Sequence, residues 1–171
     1  MTNITVLDTA QTANAADPGF FDLAIGSGIS KITYLTASSE LLVGTNKKEL
    51  SCSALENGNI NIKSNTGYGS EYIQPILVDD VPIYVQRGHR KLREILYEER
   101  TQGYTSPEVT FLAEHISSKG RIELTGTVTE PKIKAMAYQA MDNNIVWAID
   151  NNGFLFACTK SRENAVTAFG S

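Results

Sequence analysis

The chain is poor in the residues that most often do chemistry. Its 171 residues include two histidines, two cysteines and one tryptophan. A catalytic triad needs a nucleophile presented at a strained turn or helix start, beside its base. Here Cys52 and Cys158 each sit inside a strand-like apolar run, and no GxSxG occurs. There is no CxxC and no Cys/His cluster of the kind that holds zinc, so both thiols are expected to be buried and reduced. No apolar run approaches the ~20 residues of a membrane span. The start, MTNITVLDTAQTANAAD, lacks the basic residues and apolar stretch of an export signal, so a cytoplasmic product is expected. Charge of one sign is also missing: 15 Lys and Arg against 19 Asp and Glu leave a net −4. That excludes a generally basic nucleic-acid binder and an acidic disordered chain.

What is present is strand signal. Ile29 to Ala37, Leu41 to Thr45, Glu49 to Leu55 and Asn59 to Ser64 are rich in β-branched and apolar residues, with alternation at Ile32 and Tyr34. Polar turns separate them, one carrying Asn57-Gly58, whose positive φ tolerance makes it a hairpin signal. The pattern returns as Tyr72 to Val78, Val81 to Gln86 and Lys91 to Tyr97, with turns at Asp79-Asp80 and Arg87-Gly88-His89. Pro75 and Pro82 each remove a ladder donor and belong at strand starts, edges or bulges. A third copy runs Ile133 to Gln139, Ile145 to Ile149, Phe154 to Thr159 and Val166 to Phe169. The second strands, LLVGT, IYVQR and VWAID, lie roughly 42 and then 63 residues apart. Four strands per repeat of about 40 to 45 residues is the mark of a propeller blade.

The expected fold is therefore all-β and mainly antiparallel, a partial β-propeller of about three four-stranded blades. One domain of 171 residues is expected, with an N-terminal segment and lone strand over 1–28. The blades would occupy 29–66, 72–130 and 131–171. The second is lengthened by an insertion. Ser106-Pro107-Glu108 reads as an N-cap, a proline at the first helical position and an acidic first turn, predicting a short helix near 106–117. Val109, Leu112, Ala113 and Ile116 would form its apolar stripe, and Arg121 to Val128 an added hairpin arm. Three blades cannot close a propeller. The end sheets would expose apolar faces, so self-association is expected, and two copies would supply six blades.

Few groups converge. Adjacent carboxylates on a strand point to opposite faces, so Asp79-Asp80 reads as a turn and Glu98-Glu99 as a strand end. Asp142 to Asn144 and Asp150 to Gly153 lack the spaced ligands of a calcium loop, and turn chemistry accounts for them. No cofactor, metal or small-molecule substrate is implied, nor any membrane partner. His115 and His89 find no nucleophile, so an enzyme is not expected. The one charged cluster is Arg87, His89, Arg90, Lys91 and Arg93. A hairpin this basic is a candidate for assembly contacts or for weak contact with DNA phosphates.

A family resemblance runs through the same residues. Tyr68-Gly69-Ser70, Gln74-Pro75, Val85 to Gly88, Arg90-Lys91, Arg93-Glu94, Tyr97, Tyr104 and Leu112 to Ile116 resemble a family of bacteriophage and prophage virion proteins. Its members are tail nozzle (tail tubular protein B-like) components of short-tailed phages. Leu41 to Thr45 matches the family's first blade motif. Tyr138-Gln139, Ile145 to Trp147, Gly153, Leu155, Thr159, Arg162-Glu163 and Val166 match a Trp-containing closing blade, although Phe169 stands where the family usually has tryptophan. The resemblance covers about residues 17–169. It implies a non-enzymatic structural protein of a tail or connector, oligomeric and partnered by other tail proteins, found in the virion once assembled. Family members are several times longer, so a fragment, a split gene product or a decayed prophage copy is implied. The alternative from another class is a propeller-type module binding a glycan or peptide through its blade loops.

Overall fold

A computed structural model describes residues 30–54, 60–113, 121–122, 128–141, 144–161 and 166–170. Expectations for the lone strand at Phe20 to Ile25, the Asn57-Gly58 turn and His115 fall outside them. The strands described belong to one compact unit, Ile32–Ser171, and every pairing is antiparallel.

The first sheet is a meander of β1 (Ile32–Ala37), β2 (Leu41–Thr45), β3 (Glu49–Ala54) and β4 (Ile60–Thr66), in sequence order. The second contains β5 (Ile76–Val78), β6 (Val81–Val85) and β7 (Leu92–Glu94). After Ile95 the chain leaves it for a hairpin, β8 (Leu96–Glu98) with β9 (Gly103–Thr105). A two-residue pair, β10 (Arg121–Ile122) and β11 (Val128–Thr129), precedes the third sheet. That sheet is β12 (Ile133–Gln139), β13 (Ile145–Asp150), β14 (Leu155–Ser161) and β15 (Val166–Gly170), again in sequence order. All these sheets are open.

The expected strands at Leu41 to Thr45 and Ile133 to Gln139 form with those bounds. Two expectations need correction. Tyr72 to Val78 is a strand only from Ile76, because Ile73 N–H closes a tight turn on Glu71 O at 2.8 Å and Pro75 has no donor for a ladder; the residues just before are used otherwise. Ser70 N–H donates to Thr45 O at 2.8 Å, Glu71 N–H to Val85 O at 3.0 Å, and Arg87 N–H to Gly69 O at 2.9 Å. This stitch ties the ends of β2 and β6 together. The helix near 106–117 does not begin at Ser106. Residues 106 and 107 are irregular, Glu108 forms an isolated bridge and Val109 lies in a bend, and the described helical residues are a 3-10 turn, Thr110–Ala113; residues 114–117 lie outside the description.

The reason is pairing with β7. Glu94 N–H donates to Pro107 O at 3.2 Å and Val109 N–H to Leu92 O at 2.8 Å, while Arg93 and Glu108 bridge antiparallel. Residues 107–109 thus take the fourth-strand position of the second sheet, and ladder hydrogen bonds plus burial of Val109 outweigh a local cap worth about 1 kcal/mol. The inserted piece is the β8–β9 hairpin within this repeat.

Two buried clusters hold the sheets in series. On β6, period-2 alternation sends Ile83 and Val85 one way and Tyr84 the other. Ile83 and Val85 join Val78, Leu92 and Val109 against Ile133, Val146, Ala148, Phe156 and Cys158 of the third sheet. Tyr84 joins Tyr34 and Leu42 of the first sheet, with Ile95 and Tyr104. The Tyr34 and Tyr84 rings are tilted, with centroids 5.8 Å apart. The middle sheet is therefore buried on both faces. Of the two thiols, Cys158 is buried in the larger cluster, where burial pushes its pKa up to about 11. Cys52 is half-buried on the first sheet, and both are free.

Candidate functional site

The turn after β6 has the backbone its sequence asks for: Gly88 and His89 both take positive φ. That geometry lets the turn dock on its neighbours. Glu71 accepts from Gly88 N–H at 2.7 Å and pairs with His89 Nε2 at 3.2 Å. His89 Nδ1 lies 3.2 Å from Ile133 O, and Ile133 N–H donates to His89 O at 2.8 Å. The basic turn is a joint between the second sheet and the start of the third.

The five basic residues of this region do not share one surface. Arg87 is exposed. Arg90 pairs with Glu130, whose carboxyl is held below the usual range by the Arg90 hydrogen bond and charge. Lys91 Nζ donates to Glu108 Oε2 at 2.8 Å. Arg93 points the opposite way from its strand neighbours and is only 8% exposed. Its Nε donates to Gln86 Oε1 at 2.6 Å, one terminal nitrogen to Ser106 O, and the other lies 3.8 Å from Glu108. The guanidinium sits over the Tyr68 ring, 3.4 Å from its centroid. Planar, always charged and weakly hydrated, guanidinium suits such a buried, stacked position.

Beside it lies a polar group that the sequence did not single out. Glu49 is 3% exposed on the first sheet, facing the second. One carboxylate oxygen accepts from the Thr66 hydroxyl; for the other, and for the buried Tyr34 hydroxyl, there is no hydrogen-bond partner among the described residues. Burial pushes the Glu49 carboxyl up, and the Thr66 hydroxyl, the nearby Tyr68 and Gly69 amides and the Arg93 charge pull it partly back. Burial first, then the Tyr84 and Glu49 charges, raises the Tyr34 phenol well above its ordinary range.

The sign of the resulting pH dependence follows from linkage. A carboxyl whose pKa is higher folded than unfolded binds its proton more tightly in the folded state. Its stabilising contribution is complete below the unfolded pKa and is lost as pH rises through the folded one. Glu49→Gln is always neutral and keeps an acceptor for Thr66. Urea midpoints should show the variant gaining on the wild type as pH rises above the ordinary carboxylate range; a pH-independent difference would refute the burial argument.

The other sequence candidates stay apart. Asp79 and Asp80 both have positive φ at an exposed turn tip. Asp150 Oδ1 accepts from Asn152 N–H at 2.8 Å and Phe154 N–H at 2.9 Å, the Asx turn that its sequence predicts. Among the described residues no group of three or more His, Cys, Asp or Glu is placed to hold a metal ion. Among them, too, no helix is long and apolar enough to cross a membrane. No protein-family model and no curated protein matches the chain.

Proposed function

We propose that this chain is a non-enzymatic structural protein of phage origin that acts through protein–protein contacts in a tail or connector, its three sheets serving as successive blades of a partial propeller. The observation that carries this reading is the middle sheet, buried on both faces by the sheets before and after it in sequence. Serial stacking of four-stranded meanders is how propeller blades pack. The resemblance of its motifs to tail nozzle proteins supplies the phage context, with synthesis in the bacterial cytoplasm and residence in the virion. The basic turn supports the same reading: His89 and Arg90 tie it to Ile133 and Glu130 at the start of the third sheet, Lys91 and Arg93 pair within the second repeat, and exposed Arg87 is available to an assembly partner or a DNA phosphate.

The reading is tested by light scattering at micromolar concentration, with a hydrophobic dye as second probe. Association of the chain with itself is the expected result. A monomer throughout that range, binding no dye, would remove the assembly reading.

A further inference from the structure

Strand register brings one end of all three sheets together. Thr45 closes β2 opposite Ile32, Val85 closes β6 opposite Leu92, and Asp150 closes β13 opposite Ile133. Hydrogen bonds join these ends in series. Ser70 N–H donates to Thr45 O and Arg87 N–H to Gly69 O, while Ile133 N–H donates to His89 O and Asn151 N–H to Lys132 O at 2.9 Å. The turns after β2, β6 and β13 therefore lie along a single rim. The first of them is fixed by Thr45 Oγ1, which accepts from Lys47 N–H at 3.2 Å and Lys48 N–H at 2.9 Å.

Two kinds of side chain gather on this rim. Lys47 and Lys48 in the first turn, Arg87 in the second, and Lys132 and Lys134 at the start of β12 are all exposed. The carboxylates at this end are paired or buried: Glu71 pairs with His89, Glu130 with Arg90 and Glu108 with Lys91, while Glu49 and Asp150 are buried. Glu40, Asp79 and Asp80 stand at the other end, in the β1–β2 and β5–β6 turns. A chain of net −4 thus carries a basic rim. The aromatics follow the cations. Among the described residues five aromatic side chains are exposed, Tyr68, Tyr72, Tyr97, Phe111 and Phe154, and all but Tyr97 lie at this end. Tyr68 and Tyr72 flank the stitch between β2 and β6. Phe111 follows Val109, which is bonded to Leu92, and Phe154 closes the Asp150 turn. Phe111 is 69% and Tyr72 65% exposed. The Tyr68 ring is backed on one side by the Arg93 guanidinium.

We propose that this rim binds single-stranded nucleic acid, its exposed rings stacking on bases while the lysines and Arg87 meet phosphates. Cations alone would suit any polyanion. A duplex keeps its bases stacked on one another, and an acidic peptide brings carboxylates, so neither gives four exposed rings a use. Unpaired bases do, because every base has a face to stack and aromatic platforms beside a basic track are how single strands are held. Packed sheets lie about 10 Å apart, so the rim runs roughly 20 Å across three of them, room for a strand of about four nucleotides. The contact shares only Arg87 with the assembly reading and stands if that reading fails.

Fluorescence anisotropy of a labelled oligothymidylate of about 10 nucleotides, titrated with the full chain over a range of salt, tests this. Half-saturation is expected at roughly 1–100 µM, weakening with salt by a slope of about 0.7 per phosphate contact. Lys47→Gln/Lys48→Gln should lower that slope by about 1.4. Tyr72→Ala and Phe154→Ala should each weaken binding roughly fivefold or more with the slope unchanged. Arg100→Gln, at an exposed cation of the β8–β9 turn, should bind like the wild type. Should an aromatic variant lose its far-UV spectrum, comparison of the wild type on the single strand and on a duplex of equal length decides. A duplex or a polyglutamate bound as tightly as the single strand would overturn the proposal in favour of charge alone or of an acidic partner. Folded aromatic variants that bind like the wild type, or no binding at about 100 µM, would overturn it outright.

Discussion

Gly44→Ala should destabilise the protein by about 3 kcal/mol, lowering Tm by roughly 6–12 °C. Gly44 sits on β2 directly opposite Tyr34 of β1, and the Tyr34 ring lies across it. A Cβ there would overlap three ring atoms, inside any real contact distance. The ring has nowhere to go, because it is 4% exposed and packed on Tyr84. Either the first and second sheets separate or Tyr34 swings out and forfeits its burial. An aromatic folded over a cross-strand glycine is a known way to pin register. Chemical denaturation of Gly44→Ala, Tyr34→Leu and the double variant would measure the coupling. Costs that simply add, or a Gly44→Ala loss under about 0.5 kcal/mol, would mean the ring yields freely.

Arg93→Ala should cost about 3–5 kcal/mol, the range for removing one partner of a buried ion pair. It would strip Gln86, Ser106 O and Glu108 of a donor or counter-charge and remove the cation over Tyr68. It also deletes the positive charge that eases Glu49's burial. Arg93→Met keeps most of the stem's packing and should recover part of the loss. Glu108 keeps Lys91 as its partner in either variant. Urea midpoints decide the matter. Arg93→Ala within about 1 kcal/mol of the wild type would show that its contacts have the small value of exposed pairs.

These two side chains also mark the limit of what could be read from the sequence. Tyr34 was visible as one member of an alternating strand, but nothing near it announced Gly44 beneath its ring or Tyr84 fifty residues on. Arg93 stood in a run of basic residues and looked like its neighbours. Strand alternation alone turns it away from them, and only the fold puts Tyr68, Gln86 and Glu108 around it. Glu49 drew no attention because an acidic residue at a strand start is ordinary on an exposed sheet. Its burial depends on the second sheet arriving above it.

The hairpins were legible for the opposite reason. A turn such as Asp79-Asp80 or Asp150 to Gly153, flanked by apolar alternation, is decided by a few adjacent residues, so the bounds of β2 and β12 could be read directly. The segment at Ser106 shows where local chemistry stops. Its cap, proline and acidic first turn favour a helix by about 1 kcal/mol, yet the open edge of β7 offered a ladder and a buried place for Val109. The β8–β9 hairpin passed unread because the strand pattern at Lys91 to Tyr97 ran through the break at Ile95. By itself the sequence determined the class, the antiparallel meanders and most turns, all properties of neighbours. Tertiary structure alone decided which faces are buried, where each charge finds its partner and which turns share one end of the stack, since each depends on groups brought together from distant parts of the chain.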